Sequence, residues 1–237
     1  MYKDKKGALG ILCWETGSVP KGLRQLEGLV GNSTNLLSYD FPVIFSHVKG
    51  ANMQTVLEHP DPRIVDGFVK AANKMIQDGA SVISTSCGFN VIFQQQLAAK
   101  LSVPVFTSSL LQVPFVCRSL KREQSLAIVT ANKMSLTKKH LQAAGITSEM
   151  PVRIWGLEKC PQWNLIFTDP ERELDLDTIR NEVIGLVKEA IEKCNNIGAF
   201  VLECTDLPPF SEDIRRSFKL PVFDFMTMVK YIYDSVS

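Results

Sequence analysis

ASVISTSCGFN (residues 80–90) is the stretch from which the rest of the chain is read. Ala80, Val82 and Ile83, with Ser81 and Ser84, form an apolar run of buried-strand character that stops at Cys87-Gly88. FNVIFQQQLAAK (89–100) follows with helix-forming composition and apolar residues at helical spacing. A thiol between a strand end and a helix start faces unpaired backbone N–H groups and the positive end of the helix dipole. The placement therefore predicts a lowered thiol pKa and a thiolate at Cys87, in a turn that can also cradle an anion. FVLECTDLPPF (200–210) repeats the plan: an apolar strand ending in Cys204, with small and polar residues after it.

The repetition extends in both directions. ALGILC (8–13), PVIFSHV (42–48) and VPVF (103–106) read as further strands of the first half, and LAIVT (126–130), VRIWGL (152–157) and LPVF (220–223) as their counterparts. Asp61-Pro62 opens a helix running to Gly79, and Asp169-Pro170 is expected to open its long amphipathic counterpart through Ile179, Val183, Val187 and Ile191. Residues 22–30 read as a short helix and 107–120 as a helix started or interrupted by Pro114. Cys87 and Cys204 are 204 − 87 = 117 positions apart, and Ile11/Ile128 and Pro104/Pro221 share that offset. The Gly-Ala pairs at 79–80 and 198–199 differ by 119, which reads as drift in the loops. These landmarks predict an internal duplication: an α/β fold of two pseudo-symmetric lobes with parallel, flavodoxin-like sheets. Residues 1–115 form the first lobe, which the C-terminal segment can complete by crossing over, and 116–237 the second. Ligands of open parallel sheets bind at the carboxyl ends of the strands, so the site is expected between the lobes with the two cysteines facing across it.

Composition narrows the function. The 237 residues are 45% hydrophobic, enough for a full core, and the net charge of +1 comes with no basic block, which argues against nucleic acid. The apolar run after Gly7 breaks at Trp14-Glu15, too soon for a signal-peptide core or a membrane span, so a cytoplasmic protein is expected. Six cysteines without a CxxC pair read as free thiols. Cys13, Cys117, Cys160 and Cys194 have the character of small buried hydrophobes, Cys13 being the one beside the cleft. His47, His59 and His140 show no metal-ligand spacing, and phosphate-binding glycine motifs are absent, so neither metal nor cofactor is expected. Trp14, Phe45 and Trp163 read as core or cleft lining.

Paired thiols in duplicated lobes have a chemical meaning. Inverting a carbon alpha to a carboxylate needs a base on one face and an acid on the other, and backbone N–H and hydroxyl groups to stabilise the carbanion. The residues placed to bind such a substrate are Ser86, Gly88, Phe89 and Asn90 around the first cysteine and Thr205 and Asp206 after the second. Thr16 and Thr130 join them past the first strand of each half. Turn capping is the bland alternative for the threonines, Asn90 and Asp206.

Ser86-Cys87-Gly88-Phe89-Asn90, Glu203-Cys204-Thr205-Asp206-Leu207-Pro208-Pro209 and the opening ALGILCWETG resemble the aspartate/glutamate racemase superfamily over nearly the whole chain. That superfamily includes glutamate, aspartate and hydantoin racemases, arylmalonate decarboxylase and maleate isomerase. The resemblance implies that Cys87 and Cys204 are the acid/base pair of a pyridoxal-independent amino-acid racemase or epimerase, a homodimer acting on a small carboxylate. The alternatives are cis-trans isomerisation or decarboxylation of a small dicarboxylate, or ligand binding without turnover. Glutamate racemases usually carry Cys-Asn-Thr at the first site and a His soon after the second cysteine, where this chain has Gly88-Phe89 and Asp206.

Overall fold

All eight apolar runs become strands of parallel sheets in the computed structural model, which describes residues 7–236. The basic opening MYKDKK lies outside them. The first half runs β1 (Ala8–Cys13), α1 (Lys21–Glu27), β2 (Val43–His47), α2 (Val65–Gln77), β3 (Ala80–Thr85), α3 (Gln94–Lys100), β4 (Val105–Phe106) and α4 (Val113–Ser119). The second runs β5 (Ser125–Thr130), α5 (Lys138–Ala143), β6 (Val152–Gly156), α6 (Pro161–Thr168), α7 (Leu176–Lys193), β7 (Ile197–Leu202), α8 (Ser211–Phe218), β8 (Val222–Phe223) and α9 (Phe225–Val236). Two four-stranded sheets result, ordered β2-β1-β3-β4 and β6-β5-β7-β8, every pair parallel. β1, β5 and β7 are buried along their whole length. Continuous apolar runs are what strands covered by helices on both faces require. None of the described helices is long and apolar enough to cross a membrane.

The duplication is carried by the strands. β1 and β5, β3 and β7, and β4 and β8 each begin 117 positions apart, as 125 − 8 shows for the first pair. An irregularity in the ladder recurs at equivalent places, Ala8/Leu9 and Ser125/Leu126. The Gly-Ala landmark is corrected: Gly79 precedes β3 in a left-handed turn with φ of 107°, whereas Gly198 lies inside β7, so the 119 offset joins non-equivalent positions. β2 and β6 start only 152 − 43 = 109 apart, because the connection after β1 is longer. The longer connection contains α1.

Several helices depart from their expected bounds. Asp169-Pro170 starts no helix; α7 begins at Leu176, where the Asp175 side chain accepts from the Thr178 N–H at 3.0 Å. The pair instead follows the end of α6, opened by Pro161, whose apolar periodicity is masked by Gln162 and Asn164. Residues 88–93 wind as a tight 3-10 turn before α3, and a similar turn, Ser109–Gln112, precedes α4. Asp61 caps a 3-10 turn, Pro62–Ile64, that leads into α2.

The last helix returns to the first sheet. Phe225, Met228, Val229, Ile232 and Tyr233 of α9 pack on Leu9, Ile11, Cys13 and Val82. Phe225 is fully buried, so Phe225→Ala is expected to lower stability by about 3–5 kcal/mol, read as a lower urea midpoint with unchanged slope.

Candidate active site

β1, β3, β5 and β7 all discharge into one cavity of about 510 Å³. Its wall takes Cys13 and Trp14 from the end of β1, Ser86 to Phe89 from the end of β3, Ala131 after β5, and Glu203 to Asp206 after β7. The cavity therefore sits at the carboxyl ends of both sheets, where parallel strands leave backbone groups open to a ligand. The duplication pairs Ser86 with Glu203 and Cys87 with Cys204, and the two strand ends are tied directly, Thr205 Oγ1 donating to the Ser86 carbonyl at 2.5 Å.

Of the residues picked from sequence, Cys87, Cys204, Thr16, Ser86, Gly88, Phe89, Thr205 and Asp206 line the cavity. Thr130 and Asn90 do not. Thr130 is the last residue of β5, and its hydroxyl turns onto Glu203 Oε2 at 2.8 Å. Asn90 is buried one turn further along the 3-10 segment, its backbone N–H donating to the Cys87 carbonyl at 3.1 Å, away from the cavity wall. Trp14, Phe45 and Trp163 are in the wall, and Trp163 is pinned by its indole N–H donating to the Ala131 carbonyl at 3.1 Å. Asp206 caps no helix; it accepts from Asn32 Nδ2 at 2.7 Å and from Cys204 Sγ at 3.5 Å.

The thiolate expected at Cys87 is corrected. Burial, then the Glu203 carboxyl, push the Cys87 thiol far above its ordinary range, although the backbone N–H groups of Phe89 and Asn90 pull the other way. Burial, Asp206 and Glu203 do the same to Cys204. The tight turn over Gly88–Phe93 supplies only those few N–H groups, and two neighbouring carboxyls outweigh them. Cys13 is also held up, at about 12, chiefly by burial, with Ser86 beside it.

Glu203, which the sequence motif carries without a role, is a site residue that only the structure brings out. It is fully buried, and burial first, Asp206 also contributing, raises its carboxyl to about 7 against the Thr130 hydrogen bond. A glutamate directly after an apolar strand run, one residue before a site cysteine, was the available signal. Its Oε1 occupies the space a side chain at residue 88 would need: a Cβ built on Gly88 would overlap Glu203 Oε1 and its carbonyl oxygen. Gly88 is thus glycine for steric reasons. Burial likewise lifts Asp206 to about 6. Glu27 on α1, with Arg24, also faces the cavity, as do His47, Met53 and Leu57. Glu27 and Arg24 come from α1, His47 from the end of β2, and Met53 and Leu57 from the helical turn that follows β2, none of them at a landmark of the 117-residue offset. The wall therefore carries three carboxyls, Glu27, Glu203 and Asp206, against the single guanidinium of Arg24.

No protein-family model matches the chain. It is 30% identical over 205 residues to a dimethylsulfoniopropionate lyase of Durusdinium sp. clade D, a match covering 84% of this chain and 66% of that one. It is 31% identical over 178 residues to dimethylsulfoniopropionate lyase 7 of Emiliania huxleyi (strain CCMP1516), covering 72% and 51%. The chain spans about half to two thirds of the length of these curated relatives. Among solved structures, allantoin racemase from Klebsiella pneumoniae superposes with a TM-score of 0.64 at 13% identity, covering 96% of this chain and 86% of the other. Arylmalonate decarboxylase superposes with a TM-score of 0.58 at 15% identity, covering 97% and 92%. The relatives in sequence are lyases, which overturns the expected amino-acid racemase; the alternative of an isomerase or decarboxylase of a small dicarboxylate is the better supported of the two expectations. Paired thiols account for proton removal, but what the resulting carbanion does next depends on the substrate, which no thiol reveals.

Proposed function

We propose that this chain, whose fold is that of the aspartate/glutamate racemase superfamily, is a lyase that removes a proton alpha to a carboxylate and expels a sulfonium-type group from the adjacent carbon. The reading rests on one observation: two buried thiols share a cavity wall with three carboxyls and one arginine, so burial and mutual repulsion push the thiols and the carboxyls upward in pKa and leave the wall short of positive charge. A cationic substrate supplies the missing positive charge. Its arrival favours ionisation of both carboxyl and thiol, since an opposite charge within a few ångströms lowers their pKa.

Cys87 is assigned as the base. Backbone N–H groups of Phe89 and Asn90 favour its ionised form, whereas Cys204 has only the Asp206 N–H to do so and donates its own proton to the Asp206 carboxyl. The thiolate takes the Cα proton and becomes a thiol; the C–H electron pair forms the carbon–carbon double bond; the C–S pair leaves on sulfur. With dimethylsulfoniopropionate the products are acrylate and neutral dimethyl sulfide, and the proton on Cys87 returns to solvent. No redox partner is needed. The hydroxyls of Thr16 and Ser86 are available to the substrate carboxylate, and Trp14, Phe45 and Trp163 to the methyl groups of the cation.

Incubation with dimethylsulfoniopropionate is expected to release dimethyl sulfide and acrylate in equal amounts, measured by gas chromatography and proton NMR. Amino acids kept with the protein in D₂O are expected to retain their α-protons. Alpha-proton exchange in amino acids with no sulfide from the sulfonium compound would refute the lyase.

A further inference from the structure

We propose that Glu27 is the specificity-determining residue of this cavity, its carboxylate holding the cationic end of the substrate. The inference rests on the lyase reading above and adds to it the residue that selects charge.

Elimination among the acidic groups leads to Glu27. Asp206 is committed to Asn32 Nδ2 and Cys204 Sγ, and Glu203 is committed to Thr130 through Oε2 while its Oε1 is packed against Gly88. Glu27 faces the cavity and has no ion pair within 4 Å among the described residues. The Thr34 hydroxyl, its neighbour in the wall, donates to Asn32 Oδ1 at 3.0 Å and, with the Arg24 charge, eases the Glu27 carboxyl against burial and Asp206. Glu27 is also the last residue of α1, where the helix dipole disfavours a negative charge. A carboxylate placed there, half-buried and with no ion pair within 4 Å, is an electrostatic debt that a bound cation removes. α1 packs against α6, whose Trp163 and Phe167 bring aromatic rings into the same cavity, and such faces attract sulfonium and ammonium groups.

The opposite pole has candidate partners in the same wall: Thr16 and Ser86 line the cavity, and their hydroxyls can donate to a carboxylate.

Calorimetry in the Cys87→Ser background, which slows turnover enough for binding to be read, tests this with three probes. Dimethylsulfoniopropionate carries both poles; 4-methylpentanoate replaces the sulfonium by a neutral carbon of the same shape; trimethylsulfonium carries the cation alone. Glu27→Gln is expected to weaken the two cationic probes about tenfold to a hundredfold and to leave 4-methylpentanoate within twofold, which also shows that the variant is folded. Equal weakening of all three, or no change in the cationic two, overturns the assignment. Trimethylsulfonium binding that depends on Glu27, with no sulfide released by the unmodified protein, would keep the cation site and remove the lyase. If neither cationic probe binds the Cys87→Ser protein, both fall.

Discussion

Cys87→Ser is expected to lower the rate of dimethyl sulfide release by about 10²–10⁴-fold, the usual contribution of a positioned general base, with substrate binding retained. Cys204→Ser is expected to lose far less. The asymmetry follows from the geometry. Cys87 stands at the entrance to the tight turn, where the Phe89 and Asn90 N–H groups favour its ionised form, while Cys204 has the Asp206 N–H alone and donates to the Asp206 carboxyl at 3.5 Å. Inverting a stereocentre needs both thiols, one on each face; elimination needs one base, because the carbanion is quenched by loss of the leaving group instead of by a second proton. Initial rates of sulfide release for the two single variants decide the matter. Equal, near-complete loss in both would show that Cys204 takes part in the chemistry, and loss confined to Cys204→Ser would reverse the assignment of the base.

Gly88→Ala is expected to be the most damaging small substitution at the site. An added methyl group would overlap Glu203 Oε1 and the Glu203 carbonyl oxygen. The carbonyl is backbone, anchored by Ser109 Oγ, which donates to Leu202 O at 2.6 Å and Glu203 O at 3.3 Å, so it has little freedom to retreat. Overpacking a well-filled interior by one methyl typically costs about 1–3 kcal/mol, and a clash with fixed backbone places this variant at the upper end or beyond. Chemical denaturation should show the loss. Glu203→Ala in the same chain removes the side-chain half of the overlap, so the double variant is expected to be more stable than the sum of the two single changes implies, a coupling that a double-mutant cycle reads directly.

What was legible in the sequence follows from local periodicity and repetition. Buried parallel strands are continuous apolar runs, so all eight are legible, and the 117-residue offset puts Cys87 and Cys204 at equivalent strand ends. A strand end also tells where a ligand sits, because parallel sheets open at one edge only. That reasoning brought Ser86, Gly88, Phe89, Thr205, Asp206 and Thr16 to the cavity wall. It placed Thr130 there too, though its hydroxyl turns onto Glu203, a partner 73 residues away in sequence.

Local pattern carries the two-sheet α/β architecture, the duplication and the placing of two thiols at equivalent strand ends. How those thiols are charged, which carboxyl touches which partner and why residue 88 is glycine depend on the packed fold. Strand and helix propensities act over a few residues, whereas desolvation, electrostatic coupling and steric exclusion act between groups that the fold brings together. Glu27 from α1, Glu203 and Asp206 after β7, and Cys87 after β3 share one cavity only because two sheets face each other.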